Sequence, residues 1–172
     1  RLSQEKGIIT LMNAFKNRPQ DKLKIVGDGP LRNQLEAYKE QHGIKNIEFL
    51  GYKSGQELMD LKKNAYFVVV PSEWYENNPM AIIESYCEGV PAIGSRIGGI
   101  PEIINEGKTG YIFKPHNTTE LTEKIAKASD LSAEVYQQMS DNAISFAHKD
   151  MSKESYYKRL LPFYEQLLNN KK

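Results

Sequence analysis

The run Tyr66-Phe67-Val68-Val69-Val70, five apolar residues leading without a polar interruption into Pro71, restricts the fold of this chain more than any other feature. A strand with water on one face alternates apolar and polar side chains. An unbroken run rich in β-branched residues is expected to be buried on both faces, as in a parallel sheet covered by helices. Parallel strands are joined by crossovers, so the flanking sequence must supply helices.

It does so repeatedly. Ile8, Leu11, Met12 and Phe15 fall on one helical face, and Asn17 to Asp21, with Pro19, end that helix. Leu23-Lys24-Ile25-Val26 is a strand closing in Gly27-Asp28-Gly29-Pro30, followed by a helix carrying Leu31, Leu35 and Tyr38. The pattern returns with Ile47-Glu48-Phe49-Leu50 and a helix through Leu58 and Leu61, and Pro91-Ala92-Ile93-Gly94 and Gly110-Tyr111-Ile112-Phe113 add two shorter strands. The chain is expected to be an α/β domain, a Rossmann-like doubly wound parallel sheet of about six strands with helices on both faces. Beyond Asn117 it reads as helical to the end, with breaks near Leu131 and Asp150. Tyr156, Leu160, Leu161, Phe163, Tyr164, Leu167 and Leu168 give the last segment an apolar surface that needs a partner, and Pro162 is expected to bend or interrupt it. Residues 1–150 read as the sheet domain and 151–172 as a separate helical segment. Arg1-Leu2-Ser3 reads as the loop leaving a strand rather than as a natural N-terminus.

At 172 residues there is material for one substantial core. A formal net charge of +1 gives no general electrostatic reason to expect a nucleic-acid partner. Cys87 is the only cysteine, which fits a reducing compartment and suggests the cytoplasm, and no apolar run is long enough to span a bilayer.

In an open parallel sheet the ligand lies beyond the carboxyl ends of the strands, so the loops after strands hold the candidate site. The segment 71–79 follows the buried strand. There Asn78 can cap the next helix with Pro79 at its first position, leaving Glu76 on the loop just before a set of helix N–H groups suited to phosphate or sugar oxygens. Glu84 shares a helical face with Met80 and Cys87, the face a core helix should bury. Its carboxylate then needs either ligand hydroxyls or an ion pair with a lysine or arginine, and spacing leaves both open. Cys87 on that face reads as packing rather than as a nucleophile. Arg1 and Lys6 could clamp a diphosphate or could be a solvated turn, and Gly98-Gly99 could let backbone approach a ligand or another element closely or simply make a tight turn. His42, His116 and His148 show no metal-ligand spacing, and no Asp-x-Asp pair is present, so no metal is expected.

Glu76-Asn77-Asn78-Pro79-Met80-Ala81-Ile82-Ile83-Glu84-Ser85, followed by Gly89 to Ser95, resembles the Glu-x7-Glu signature of the group 1, family 4-like retaining glycosyltransferases of GT-B architecture. Arg1 to Gly7, Val26 to Leu31, Gly98 to Glu102 and Gly107 to Gly110 resemble further elements of that family in the same order. The resemblance implies the C-terminal, donor-binding domain, with the acceptor domain and the first strand lying before Arg1 and the terminal helix crossing back to that acceptor domain. It implies Glu76, Lys6 and Arg1 at the reacting end: Arg1 and Lys6 neutralise a diphosphate, and Glu76 with the Asn77 and Asn78 backbone and Pro79 holds the donor sugar. Glu84 would bind the ribose hydroxyls, and the Gly51-Tyr52-Lys53 loop would lie near the base. The implied substrate is a nucleotide-sugar donor, with no cofactor or metal, and the acceptor a glycan or lipid-linked sugar of polysaccharide or capsule biosynthesis. Asn77-Asn78-Pro79 replaces the commoner Gly-Phe-Gly segment, so the sugar preference does not transfer.

Overall fold

The computed structural model describes residues 1–169. A single 3-10 turn, Gln4–Lys6, leads into α1 (Ile8–Lys16), β1 (Leu23–Val26), α2 (Arg32–Gln41), β2 (Ile47–Gly51), α3 (Gly55–Lys63) and β3 (Val68–Val70). There follow α4 (Met80–Cys87), β4 (Ala92–Ser95), α5 (Ile100–Ile103), β5 (Gly110–Phe113), α6 (Thr118–Ser129), α7 (Ala133–Lys149) and α8 (Lys153–Asn169). The short α5 carries no periodicity to reveal it in sequence. It forms because Pro101 suits the first turn of a helix and Glu102 favours its positive end.

Every strand pair is parallel, and the five strands of the described residues make two ladders, β1-β2 and β3-β4-β5. Helices cover both faces, as a parallel sheet requires. Leu11 and Phe15 of α1, Leu35 of α2 and Leu121 of α6 pack around Leu23, Ile25, Tyr111 and Phe113. On the opposite side Ile82 and Tyr86 of α4 pack with Ile100 and Ile103 of α5 and with Ala143 and Ala147 of α7.

Tyr66 to Val70 departs from the expected strand buried on both faces. Only Val68–Val70 is strand, all three valines are half-buried, and Tyr66 is exposed. Tyr66 instead stacks on Tyr136 of α7 at 4.3 Å, and the Tyr136 hydroxyl donates to the Tyr66 carbonyl at 3.0 Å. The reason is topological. Among the described residues β3 pairs only with β4, and its other edge borders a cleft of about 1570 Å3 that separates it from β1.

The two long C-terminal helices behave differently. Ser132 caps α7, which buries Met139, Ser140, Ala143 and Ala147, whereas α8 buries no residue and exposes Tyr156, Tyr157, Phe163, Tyr164, Leu167 and Leu168. Pro162 lies inside α8 rather than ending it. A proline deprives the carbonyl one turn earlier of its helical partner, a loss that water can make good on a helix this exposed. No helix among the described residues is long and apolar enough to cross a membrane.

Candidate functional site

The loops at the carboxyl ends of the strands converge on Glu76. Lys6 Nζ donates to Glu76 Oε1 at 2.5 Å, and Ser72 Oγ donates to the same oxygen at 2.6 Å. Ser72 is fully buried at the end of β3, and its carbonyl accepts from Ser95 Oγ, at the end of the adjacent β4, at 2.5 Å. Burial by itself raises the Glu76 carboxyl. The hydrogen bonds from Lys6 and Ser72, with the lysine charge, outweigh that and hold it below the ordinary carboxylate range.

The backbone around Glu76 is equally constrained. Gly99 N–H donates to the Glu76 carbonyl at 2.7 Å. A Cβ at Gly98 would stand 2.3 Å from the Glu76 carbonyl oxygen, and one at Gly99 would stand 1.9 Å from that of Asn77. Of the two readings left open for this glycine pair, close approach applies, and what approaches is the Glu76 loop.

Lys6 is delivered by a similar device. Gly7 is left-handed at φ 63°, and a Cβ there would lie 2.0 Å from the Pro71 carbonyl oxygen, so the Gln4–Lys6 turn is pressed against the start of the 71–79 loop. Glu73 N–H donates to the Glu5 carbonyl at 2.8 Å. The Glu73 carboxylate accepts from Thr10 Oγ1 at 2.5 Å and meets His116 Nδ1 at 3.1 Å. At the other end Leu2 N–H donates to the Asp28 carbonyl at 2.8 Å, and a Cβ at Gly29 would collide with the Leu2 backbone. The turn therefore spans the carboxyl ends of β1 and β3. Lys6 is not a solvated charge, whereas Arg1 is exposed at the cleft mouth.

Three local expectations need correction. Asn78 makes no capping hydrogen bond. Pro79 occupies the N-cap position with an extended ψ of 99°, its carbonyl receives the Ile82 N–H at 3.0 Å, and α4 begins at Met80. The stripe Met80, Glu84, Cys87 shares a face, but the outward one: Met80 and Cys87 are exposed and the Glu84 side chain is 42% exposed. The buried stripe is Ile82, Ser85 and Tyr86, because α7 packs on that side. Cys87 is consequently not a packing residue. For Glu84 the ion-pair alternative is the one seen, since Lys62 of α3 donates to Oε2.

Arg1, Lys6, Glu76, Asn78, Pro79 and Glu84 all line the cleft between β1 and β3, together with Tyr52 and Lys53. Asn77 is exposed outside it, its carbonyl turned to Gly99. Ser72, Ser95 and Lys62 escaped the sequence reading. The two serines carried a signal, being small hydroxyl residues at the carboxyl ends of neighbouring strands, whereas Lys62 carried none. Among the described residues no group of three or more His, Cys, Asp or Glu side chains could hold a metal.

The sequence and the fold have counterparts. The family described as glycosyl transferases group 1 matches residues 1–146. An uncharacterized glycosyltransferase of Methanocaldococcus jannaschii is 30% identical over 145 residues, covering 84% of this chain and 40% of its own length. A glycosyltransferase from Rickettsia africae superposes with a TM-score of 0.87 at 22% identity, over 99% of this chain and 46% of the other. Anabaena HepE in complex with UDP superposes with a TM-score of 0.84 at 22% identity, over 96% and 47%. The chain thus spans less than half the length of these relatives.

Proposed function

The chain belongs to the group 1 glycosyl transferases, and from that premise we propose that it is the donor-binding half of a retaining, metal-independent enzyme that moves a hexose from a nucleoside-diphosphate sugar to a glycan or lipid-linked acceptor. The observation that carries this reading is the ionised Glu76, held by Lys6 and Ser72 at the carboxyl ends of the strands and sharing a cleft with Arg1 and Glu84.

Negative charge builds on the diphosphate as the bond to the sugar breaks. Lys6, with three donors, can keep one on Glu76 and turn another to a phosphate oxygen, and Arg1 lies at the same mouth to add a second cation. Those cations do the work a metal would otherwise do. Glu76 and the Asn77-Asn78 backbone hold the donor sugar. Glu84 gives Oε2 to Lys62, leaving its second oxygen to accept from a ribose hydroxyl. Tyr52 and Lys53 line the cleft where a base would sit. The structural relative seen with UDP makes a uridine nucleotide the first ligand to try. The acceptor is held by the remainder of the longer protein, against which the apolar face of α8 packs, and the reaction serves polysaccharide or glycoconjugate synthesis in the cytoplasm.

A second reading rests on the chain's span of 40% of its M. jannaschii relative: these residues alone bind the donor and transfer nothing. Both readings meet the same test. A thermal-shift panel of UDP, GDP, ADP and their sugars, at about a hundred times the dissociation constant, should add about 2.7 kcal/mol, or about 5–11 °C, for one base. Glu84→Ala should lose the shift with nucleoside and nucleotide alike, and Lys6→Ala should lose it for the diphosphate but not the nucleoside. Equal shifts in wild type and Glu84→Ala would remove the ribose assignment.

A further inference from the structure

Lys6 carries the ammonium that meets Glu76, yet nothing in its own stretch of chain is long enough to aim it. It ends a three-residue turn closed by the Lys6 N–H on the Ser3 carbonyl at 3.1 Å, and Gly7 then redirects the backbone at φ 63°. The helix that follows, α1, opens without a side-chain cap and without an acid in its first turn. Its leading N–H groups and the positive end of its dipole favour a negative charge there.

That charge arrives from 63 residues beyond Thr10. Of the Glu73 carboxylate, Oε1 accepts from Thr10 Oγ1 in the first turn of α1 at 2.5 Å, and Oε2 meets His116 Nδ1 at 3.1 Å. Glu73 Cγ lies 3.0 Å from where a Cβ of Gly7 would be, so the side chain also packs on the corner between Lys6 and α1. The Glu73 side chain is 17% exposed and Thr10 is buried. Through the backbone, the Glu73 N–H closes on the Glu5 carbonyl at 2.8 Å. His116 comes from the loop after β5 and has φ 61°, a conformation that residues other than glycine adopt rarely. Both carboxylate oxygens are engaged within the protein, and Glu73 does not line the cleft. Its influence on the site therefore runs through what it holds.

We infer that Glu73 is a positioning residue for Lys6: from the 71–79 loop it caps α1, fixes the Gly7 corner, and so sets where the Lys6 ammonium stands relative to Glu76. This placement is independent of donor chemistry. Only the use of Lys6 on a diphosphate rests on the function proposed above.

Charge and position predict opposite signs, which makes the inference testable without a ligand. If Glu73 mattered only as a neighbouring negative charge, its removal would lower the Glu76 carboxyl further. If it holds Lys6, its removal lets the ammonium drift, and the Glu76 carboxyl rises as it loses a hydrogen bond and a cation.

The test titrates the Glu76 carboxyl by carbon-13 NMR in the 172-residue chain, with Glu76→Gln to assign the signal. Lys6→Ala sets the scale by raising the value. Glu73→Ala should raise it by most of the same amount, and Thr10→Val, which keeps the shape of α1 and removes the hydroxyl, should raise it by less. Glu73→Gln, which keeps an acceptor for Thr10 and the contact with Gly7, should not raise it. Should Glu73→Ala fail to fold, Thr10→Val decides. An unchanged or lowered Glu76 value in Glu73→Ala and Thr10→Val, even with a loss of stability, would overturn the inference and leave Glu73 a structural ion pair. Binding gives the second readout: UDP affinity should fall about tenfold in Lys6→Ala and by a similar factor in Glu73→Ala, with uridine affinity unchanged. Wild type binding UDP no better than uridine would overturn the diphosphate role of Lys6, and the placement would still be decided by the Glu76 titration.

Discussion

Glu76 and Glu84 belong to one motif, yet the fold treats them oppositely. Glu76 is fixed through its side chain by Lys6 and Ser72 and through its backbone by Gly98-Gly99, so three separate stretches of chain, its own loop among them, specify one carboxylate. Glu84 rides on the outer stripe of α4 with Lys62 as its hydrogen-bond partner and nearly half its side chain in solvent. The contrast separates positioning from availability. Under the proposed roles, a group at the reacting end must be placed before the donor arrives, whereas a group that recognises ribose needs an oxygen it can offer.

The largest effect should come from the backbone beneath Glu76. Gly99→Ala puts a methyl 1.9 Å from the Asn77 carbonyl oxygen, which the loop can relieve only by moving. Chemical denaturation should show a loss of about 3 kcal/mol, and donor binding should fall with it. If Gly99→Ala melts like wild type, the loop yields and Glu76 is not held as described.

Glu76→Gln should cost about 1–2 kcal/mol at neutral pH, because the oxygen that accepts from Lys6 and Ser72 loses its charge. The pH dependence carries its own sign. The folded carboxyl lies below its ordinary value of 4.5, so its contribution is complete above that value and is lost as the pH falls through the lower, folded one. Wild type and Glu76→Gln should therefore converge in stability as the pH falls from 4.5 through the lower, folded value. A gap that persists there would mean that packing, not charge, is what Gln disturbs.

On the Glu84 side the stability effect should be the smallest. Lys62→Met removes a partly exposed ion pair worth about 0–1 kcal/mol, so urea titration should barely move. Under the proposed role it releases Glu84 and leaves nucleoside binding within about threefold. A collapse of nucleoside binding in Lys62→Met would instead make the lysine part of the ribose site and erase the contrast between the two glutamates.

Much of the fold is legible in local pattern. Ile8, Leu11, Met12 and Phe15 repeat at helical spacing, and all but the half-buried Ile8 are buried in α1. Leu23 to Val26 and Gly110 to Phe113 form strands as read. The site is legible in part, because Lys6, Glu76 and Glu84 sit in loops and helices that a strand-turn-helix reading locates. Which face of α4 is buried is not. Ile82-Ser85-Tyr86 and Met80-Glu84-Cys87 are both valid helical stripes, and only the arrival of α7, more than fifty residues later, chooses between them. Lys62 is likewise one lysine among many until α3 lies beside α4.

The amino-acid sequence by itself determined the parallel α/β class, the order of elements and the glycines that let loops touch, because periodicity and φ preference act over a few residues. Tertiary structure decided that β3 is half-buried, that Glu76 is pinned while Glu84 faces outward, and that a strand-wide cleft divides the sheet. Burial and hydrogen-bond pairing at those positions depend on chain segments far apart in sequence, and spacing along one segment holds no record of them.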